Sequence, residues 1–267
     1  MKSYTIIDAH CHIYPEKIAA KAVHGTDRFY ELDQGSAFGG TTAELLSIKE
    51  TTHISRFIVQ SVATTPHQVA SINAFIADEV QKSNGIFVGL GTLHPDSADI
   101  SGDVEHLLGL GLRGIKLHPD IQRFAVDDPK CMQIYELCRG RLPILMHTGD
   151  KRYDFSNPDR VARVLRTFPD LTIIGAHLGG WSVWEEASRK LAGFDNLYVD
   201  TSSTIGFIGA ECAERYIRRF NMNKILFGTD YPMWSPKDEL SALLAMNFSE
   251  EEYEKLFHKN AEKLYGI

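Results

Sequence analysis

Two histidines near the N-terminus, His10 and His12, have the residue type and the spacing of metal ligands. They end the apolar segment IIDAHCH, which is typical of a β-strand. Successive side chains of a strand alternate between its faces, so we expect both imidazoles on one face and Ile7, Ala9 and Cys11 on the other. Two imidazoles side by side supply half of a zinc ligand set. An isolated H-x-H pair also occurs by chance, so the interpretation depends on the rest of the chain.

Further polar residues stand at the ends of similar apolar segments. His147 ends LPILMH, His177 ends LTIIGAH and Asp230 ends KILFGTD. Lys116 and His118 end the segment LRGIKLH in the same way. Histidine and aspartate are ligands that divalent metal ions accept, and their repeated placement at strand ends favours metal binding by the set. This prediction depends on all of these strand-end residues together, because one such residue alone would not support it.

Eight strand candidates, each followed by a helical segment, are expected to position these residues. The predicted strands cover residues 6–12, 55–63, 86–93, 112–118, 142–147, 171–177, 196–201 and 224–230. Strict alternation of strands and helices predicts a parallel sheet. Eight such units in 267 residues have the size of a (β/α)8 barrel, in which catalytic groups occupy the C-terminal ends of the strands.

We therefore predict an α/β fold, a single-domain (β/α)8 TIM barrel over residues 1–267. The alternative is an open doubly wound sheet, which usually has a glycine-rich phosphate loop after its first strand, where this chain has two histidines. Residues 13–42 contain four glycines and are too long for an ordinary connection. We expect this segment to be an irregular loop or cap beside the barrel mouth.

Composition restricts the class of partner. The formal net charge is -7 and the Lys and Arg residues form no block, which argues against nucleic acid or an anionic membrane as the main partner. A small-molecule substrate is expected, with a carboxylic acid as one option. The N-terminal sequence lacks the features of a signal peptide, and the four cysteines include no C-x-x-C pair, so we expect a reduced cytoplasmic protein. A homodimer is the expectation on general grounds.

The motifs as a set resemble the amidohydrolase superfamily. The segments that carry the resemblance are IIDAHCH, GIKLHP, PILMHTG, IGAHLGG and LFGTDYP. They are most similar to the amidohydrolase-related (amidohydrolase-2) branch, which also contains metal-dependent decarboxylases of aromatic and unsaturated acids. The resemblance extends over essentially the whole chain. Its motifs are specific for the superfamily and much less specific for the substrate.

The resemblance implies a mononuclear metal site. His10, His12, His147 and Asp230 would bind one divalent ion, with Zn²⁺ as the first expectation and Mn²⁺ as the alternative. His177 would act as the general acid or base, or would bind a second metal ion, which is the less favoured reading. Asp230 would also accept a proton from metal-bound water, whose pKa a metal ion can lower to about 7.

Further residues are candidates for substrate contact. In binuclear relatives a carboxylated lysine on strand four bridges two metal ions, and Lys116 stands close to that place. We favour a substrate contact or a structural role for Lys116 over carboxylation. His118 shares its face by alternation and is either a substrate contact or a structural histidine. Arg152, Trp181 and Trp234 follow strand ends and could bind a planar acid, or they could be ordinary loop and packing residues.

The predicted activity is hydrolysis of a small carbonyl, lactone or amide substrate by metal-activated water. The alternative is nonoxidative decarboxylation of a small aromatic or unsaturated acid. The two reactions use nearly the same residues, which is why the sequence does not separate them. A catalytically silent metal-binding protein is the third hypothesis.

Overall fold

Parallel strands form the centre of the computed structural model, which describes residues 4–267. The strands are β1 (Ile7–His12), β2 (Arg56–Gln60), β3 (Phe87–Gly89), β4 (Gly91–Thr92), β5 (Ile115–Leu117), β6 (Ile144–Met146), β7 (Ile173–Gly175), β8 (Leu197–Asp200) and β9 (Ile225–Leu226). Every predicted strand contains one of these segments, except that the predicted strand 86–93 contains both β3 and β4. All pairs of neighbouring strands are parallel.

Strands β3 and β4 occupy one position of the barrel, with an interruption at Leu90. The N–H of Leu90 donates to the carbonyl of Val59 in β2, at 2.9 Å. The next N–H, that of Gly91, donates to the carbonyl of Gly114 on the other side, also at 2.9 Å. Backbone pairing therefore continues across the interruption from β2 to β5.

The first and last strands close the ring. The N–H of Ala9 donates to the carbonyl of Phe227 at 2.8 Å, and the N–H of Asp230 donates to the carbonyl of His10 at 2.9 Å. These bonds join β1 to the chain just after β9. The molecule is therefore an eight-position parallel barrel, as the strand count predicts.

Helices alternate with the strands. They are α1 (Glu16–Tyr30), α2 (Thr42–Thr52), α3 (Val69–Lys82), α4 (Ile100–Gly109), α5 (Pro119–Gln122), α6 (Pro129–Cys138), α7 (Pro158–Thr167), α8 (Trp184–Leu191), α9 (Ile205–Ile208), α10 (Ala210–Ile217), α11 (Pro236–Leu244), α12 (Glu250–Glu254) and α13 (Asn260–Tyr265). Polar caps fix several starts, as when the side chain of Asn157 accepts from the N–H of Arg160 at the start of α7. In residues 4–267, none of the helices has the length and apolar character that crossing a membrane requires.

Alternate residues of the strands divide the core into two layers. An outer cluster packs the strands against the helices and includes Phe57, Val59, Ile144 and Met146. An inner cluster fills the barrel and includes Ile58, Leu145, Ile174, Tyr198 and Leu226. The inner cluster lies below the strand ends, so it forms the apolar base on which the polar residues of the mouth rest.

The alternation predicted for β1 is wrong at Ile7 and Ala9. Both side chains belong to the inner cluster, whereas Cys11 packs in the outer one as expected. The register between β1 and β2 shifts between Asp8 and Cys11, which is the signature of a β-bulge. The extra residue at the bulge re-aims His10, so that its side chain faces the mouth on the same side as Ile7 and Ala9.

The segment 13–42 is less irregular than predicted, because α1 occupies half of it. Ala19 and Val23, four residues apart, form the buried face of this helix. Glu31 ends the helix in a left-handed conformation with φ of 55°. The helix begins after Pro15 without a side-chain cap, and it contains Gly25, so its sequence lacks a strong start signal. The segment lies at the barrel mouth, where α1 forms one wall of the cavity described below.

Candidate metal centre

Three of the predicted ligands come together at the barrel mouth. The Nε2 atoms of His10 and His12 are 3.2 Å apart. Oδ1 of Asp230 lies 3.3 Å from Nε2 of His10 and 3.6 Å from Nε2 of His12. His10 and Asp230 are 0% and 5% exposed. Two imidazoles and one carboxylate therefore converge at a buried point between the first and last strands.

The separations of these donor atoms fit a divalent metal ion. Zinc binds histidine nitrogen and carboxylate oxygen at about 2.1 Å, and tetrahedral angles then put neighbouring ligand atoms about 3.4 Å apart. The observed separations, 3.2 to 3.6 Å, lie around that value. Imidazole also suits other transition ions, and carboxylate suits Mn²⁺. The three residues can thus hold a metal ion with little movement.

Asp230 is held in a strained backbone conformation with one oxygen directed towards the histidines. Its φ is 61°, in the left-handed region. Ser203 Oγ donates to Oδ2 at 2.6 Å, and Trp234 Nε1 donates to the same hydroxyl at 2.7 Å. Burial raises the pKa of the Asp230 carboxyl, but the charges of His10, His177 and its other neighbours lower it well below its usual value overall. Asp230 is therefore an ionised carboxylate whose orientation Ser203 fixes.

Asp200, at the end of β8, orients His10. Its Oδ2 lies 2.9 Å from Nδ1 of His10, and its Oδ1 accepts from the N–H of His177 at 3.0 Å. Burial raises the pKa of Asp200, but His10 lowers it well below its usual value overall, so this carboxyl is ionised. An ionised carboxylate makes Nδ1 of His10 the donor, which leaves the Nε2 lone pair for a metal ion. Asp200 is not among the site residues predicted from the sequence, although the same strand-end rule identifies it in NLYVDT.

His177 lies beside this group with its Nε2 directed to His147. The Nδ1 atom of His177 lies 3.1 Å from the backbone oxygen of Ser202, so Nδ1 carries the proton and donates. Its Nε2 is 3.0 Å from Nδ1 of His147 and accepts from it. Burial lowers the pKa of His177 to about 4. His177 is therefore a neutral imidazole at pH 7, close to the metal site.

A second group, formed by His10, His177 and Asp200, also has its ligand atoms within 4.8 Å of one another. Hydrogen bonds already join its members, with Asp200 accepting from both histidines. These hydrogen bonds therefore orient His10, which belongs to both groups. The mononuclear interpretation requires no second metal ion at the second group.

His147, the fourth predicted ligand, stands apart from the other three in the described structure. Its ring stacks on His118, with centroids 4.1 Å apart. Its Nε2 faces Oδ2 of Asp120 at 3.7 Å and, within residues 4–267, has no hydrogen-bond partner. The ligand role of His147 stays a prediction.

Lys116 is buried among the residues of the candidate metal centre, with 1% of its surface exposed. Its Nζ lies 3.0 Å from Nε2 of His10. Burial lowers the pKa of Lys116 to about 8, although Asp230 and Asp200 act in the opposite direction. The floor of the site therefore carries a cation that an anionic group of a ligand would meet.

A cavity of about 610 Å³ opens above these residues. Lys116 and His118 line it together with His10, His12, His147, His177 and Asp230. Its walls are mostly apolar and come from α1, α3 and the loop after Asp230, with Ile18, Ile72, Phe75 and Met233 as examples. Its volume is that of a small-molecule site. A polar floor, whose residues could hold a metal ion, thus faces an apolar chamber.

Arg152, Trp181 and Trp234 are not part of the lining of this cavity among the residues that the structure describes. Arg152 Nη2 pairs with Oδ2 of the buried Asp150 at 2.7 Å, and its Nη1 donates to the carbonyl of Phe29 at 2.7 Å. Trp234 contacts Ser203, as described above, and Trp181 packs edge-on against Tyr30, with centroids 5.1 Å apart. Arg152 and Trp181 thus contact Tyr30 of the cavity wall, and Trp234 contacts Ser203. Substrate contact by Arg152, Trp181 and Trp234 stays a prediction.

Tyr30 is a residue of the cavity that sequence reasoning missed. It is the last residue of α1 and lines the cavity. Its hydroxyl lies 2.7 Å from Nε2 of His118. No strand-end signal could have identified it, because it comes from a helix within a segment that we predicted to be irregular.

Solved structures with the same fold include three informative ones. The TIM-barrel protein Bb4693 from Bordetella bronchiseptica is 23% identical, with a TM-score of 0.81 over 98% of each chain. A 5-carboxyvanillate decarboxylase from Novosphingobium aromaticivorans, complexed with manganese and 4-hydroxy-3-methoxy-5-nitrobenzoic acid, is 17% identical, with a TM-score of 0.77 over 99% of this chain and 96% of that one. A 2,6-dihydroxybenzoate decarboxylase from Rhizobium is 16% identical, with a TM-score of 0.74 over 99% of each chain.

These similarities establish the fold. A search of curated proteins found no match. The amidohydrolase family model, in contrast, matches residues 7–267, and this range contains every strand of the barrel and every residue of the site. With the ring of strands and the grouped His10, His12 and Asp230, this match shows that the chain belongs to the amidohydrolase family.

Proposed function

We propose that this protein is a metal-dependent nonoxidative decarboxylase of a small aromatic or unsaturated carboxylic acid. The observation that carries the proposal is the contrast within the cavity between its floor and its apolar walls. The floor holds the buried Lys116 and residues that could bind a metal ion. The decarboxylases of 5-carboxyvanillate and 2,6-dihydroxybenzoate, which share the fold, support the reaction class. Hydrolysis, the activity that we favoured from the sequence, becomes the second candidate.

The floor of the cavity would bind the acid group of the substrate. A bound divalent ion supplies positive charge that attracts the carboxylate and a neighbouring oxygen. Lys116 adds a second cation at the same place, and its burial strengthens the attraction for an anion. The apolar side chains of α1 and α3 would hold the hydrocarbon part of the substrate.

The proposed reaction breaks one carbon–carbon bond and forms one C–H bond. The reaction converts a carboxylate and one proton into a C–H bond and neutral carbon dioxide, so the bond between the carboxyl carbon and its neighbour breaks. The electron pair of that bond stays on the neighbouring carbon, which takes up the proton.

Two residues can deliver the proton to carbon. His177 has a pKa lowered by burial to about 4, so its protonated form is a stronger acid than a free imidazolium. Asp230 is ionised in the resting site, so it would have to take up a proton before it could deliver one to a bound substrate. We propose one or both as the general acid of the reaction.

The remaining expectations of the site are part of the same proposal. We propose one divalent ion, Zn²⁺ or Mn²⁺, with His10, His12, His147 and Asp230 as its ligands. The manganese in the 5-carboxyvanillate decarboxylase supports a divalent ion. Substrate contact by Lys116 and His118, a homodimer and a cytoplasmic location stay predictions.

Product analysis tests the reaction. The protein, loaded in turn with Zn²⁺ and Mn²⁺, is incubated in D₂O with a panel of hydroxylated benzoic acids and unsaturated acids. We expect release of carbon dioxide and one deuterium at the carbon that carried the carboxyl group. A metal-loaded, folded protein that releases no carbon dioxide from any acid of the panel would contradict the proposal.

Hydrolysis is the second candidate because Asp230 and the neutral His177 could both accept a proton from water. Incubation with lactones and amides in H₂¹⁸O distinguishes it, because a hydrolase places ¹⁸O in the carboxylic acid product. A protein that keeps its metal and turns over neither panel would instead be a catalytically silent metal-binding protein.

A further inference from the structure

The end of helix α1 places the hydroxyl of Tyr30 inside the cavity. Its oxygen lies 2.7 Å from Nε2 of His118 and 3.3 Å from Nδ1 of His147. The ring is held from outside the cavity, edge-on against Trp181 and under the guanidinium of Arg152, which lies 5.4 Å from the ring centroid. The hydroxyl therefore has a fixed position next to the floor of the site.

The contacts of His118 determine which way the Tyr30 hydroxyl points. The backbone N–H of Ile121 donates to Nδ1 of His118 at 3.2 Å. A ring nitrogen that carries a proton cannot accept a hydrogen bond, so Nδ1 of His118 carries no proton. The single proton of the neutral ring is therefore on Nε2. Nε2–H then donates to the oxygen of Tyr30, and the O–H of Tyr30 must donate elsewhere.

Within residues 4–267, the other neighbour of that hydroxyl is Nδ1 of His147, and it is a poor acceptor. The distance of 3.3 Å exceeds the usual range for an O–H donor. The same nitrogen donates to Nε2 of His177, since Nδ1 of His177 carries the proton that the Ser202 carbonyl accepts. If His147 binds the metal through this nitrogen, its lone pair is equally unavailable to Tyr30.

We propose that Tyr30 donates a hydrogen bond to an oxygen atom of the substrate acid, and that His118 positions the hydroxyl for it. This proposal rests on the acid substrate proposed above. Tyr30 touches the substrate in this contact, and His118 contributes to it by positioning Tyr30. The class of ligand is a planar acid with an acceptor oxygen, either on its carboxylate or on the adjacent ring carbon, within reach of α1.

Binding measurements on the metal-loaded protein test this role. Isothermal titration calorimetry with benzoate and with 2-hydroxybenzoate compares the wild type with Tyr30→Phe, which keeps the ring against Trp181. We expect Tyr30→Phe to weaken binding about 10- to 100-fold, the effect of losing a hydrogen bond to a charged group. A loss with both acids identifies the carboxylate as the acceptor, and a loss with 2-hydroxybenzoate alone identifies the ring oxygen.

Tyr153→Phe is the matched control. Tyr153 stacks on Phe29, with centroids 5.6 Å apart, and is 39% exposed. We expect this variant to bind both acids like the wild type. Metal content and thermal unfolding of each variant show whether a change in affinity reflects lost metal or lost structure.

His118→Asn tests the positioning role. Asn can keep the cap on the N–H of Ile121 but is too short to reach Tyr30. We expect weaker binding than in the wild type, and a double variant with Tyr30→Phe no weaker than Tyr30→Phe alone, because both changes remove one interaction. Additive losses would overturn the role of His118.

The outcomes separate this proposal from the proposed reaction. Equal affinity of Tyr30→Phe and the wild type for both acids overturns the role of Tyr30, even if carbon dioxide is released. Weakened binding by Tyr30→Phe without any carbon dioxide release supports Tyr30 and contradicts decarboxylation. Failure of the wild type to bind either acid overturns the role of Tyr30 as a donor to such acids.

Discussion

The ammonium nitrogen of Lys116 lies 3.0 Å from Nε2 of His10, the same nitrogen that a metal ion would use. One lone pair cannot serve both, so the Lys116–His10 hydrogen bond and metal binding exclude each other. The charge of Lys116 would also repel a metal ion at this distance. The buried lysine therefore opposes the metal ion and favours an anion at the same site.

Replacing this lysine should strengthen metal binding. We expect Lys116→Met to bind Zn²⁺ and Mn²⁺ about 10-fold more tightly or better, because the competing charge is gone and the volume is kept. Competition with a metal-chelating dye measures the affinity, and Lys151→Met, an exposed lysine in the loop after β6, is the control. Weaker binding, or a fall from two metal ions per chain to one, would instead indicate that Lys116 is a carboxylated bridge.

Substitutions of the histidines should separate metal binding from proton transfer. We expect His12→Ala to lose metal and activity together, because Nε2 of His12 is one of the three grouped ligand atoms. His177→Ala should keep close to one metal ion per chain and lose activity by about 10²–10⁴-fold, the usual effect of a positioned acid or base. Metal content by mass spectrometry and the kinetics of each variant check both predictions. His106→Ala, at an exposed position of α4, is the control. A metal content of two ions per chain in the wild type and one in His177→Ala would contradict the mononuclear site.

Asp200 should matter for metal affinity without binding the metal itself. Asp200→Asn removes the charge that makes Nδ1 of His10 a donor, at 2.9 Å in the wild type. We expect metal affinity to fall about 10- to 100-fold, as is usual for partners that orient a ligand histidine. Asp195→Asn, an exposed residue just before β8, should have no effect. An unchanged affinity in Asp200→Asn would show that His10 keeps its orientation without this carboxylate.

Glu239 should make stability fall as pH rises. This residue of α11 is buried, and its Oε2 has no hydrogen-bond partner within residues 4–267. Burial raises its pKa from the usual 4.5 to about 8, and the charge of Asp230 acts in the same direction. The folded state therefore binds the proton more tightly, so the stability linked to Glu239 is complete below pH 4.5 and is lost as pH rises towards 8.

Urea unfolding of Glu239→Gln and the wild type at pH 5 and pH 8 tests this linkage. We expect the advantage of Glu239→Gln over the wild type to grow between the two pH values, since Gln carries no charge at either. Glu16→Gln, at an exposed position of α1, should show no such growth. A constant difference between Glu239→Gln and the wild type would mean that Glu239 is not protonated in the folded state.

The residues that the sequence predicted well are those whose position follows from the fold alone. A polar residue after an apolar strand lies at the barrel mouth, whatever the loops do, and this rule correctly brings together His10, His12 and Asp230. The same rule applies to Asp200, although this residue lies outside the segments that carry the family resemblance. In these cases the sequence contained the necessary signal.

Other features depend on tertiary contacts that a sequence pattern does not contain. The bulge in β1 re-aims His10 relative to Ile7, and it arises from how β1 pairs with β2. The ring of His147 turns towards His177, because the proton on its Nδ1 finds an acceptor there. Tyr30 reaches the cavity from α1, and its role depends on a hydrogen bond to a residue 88 positions away. Strand and helix periodicity cannot encode such partners.

The closure of the ring between β1 and the chain after β9 also determines when the metal site can form during synthesis. His10 and Asp230 meet through the hydrogen bond between the N–H of Asp230 and the carbonyl of His10. A ribosome releases Asp230 only after it has made every strand of the barrel, from β1 to β9. The long loop between them must close before the two residues can meet. The three-residue site therefore cannot form in a fragment that lacks β1 or the chain just after β9. Binding of a metal ion there would indicate that the whole barrel has closed.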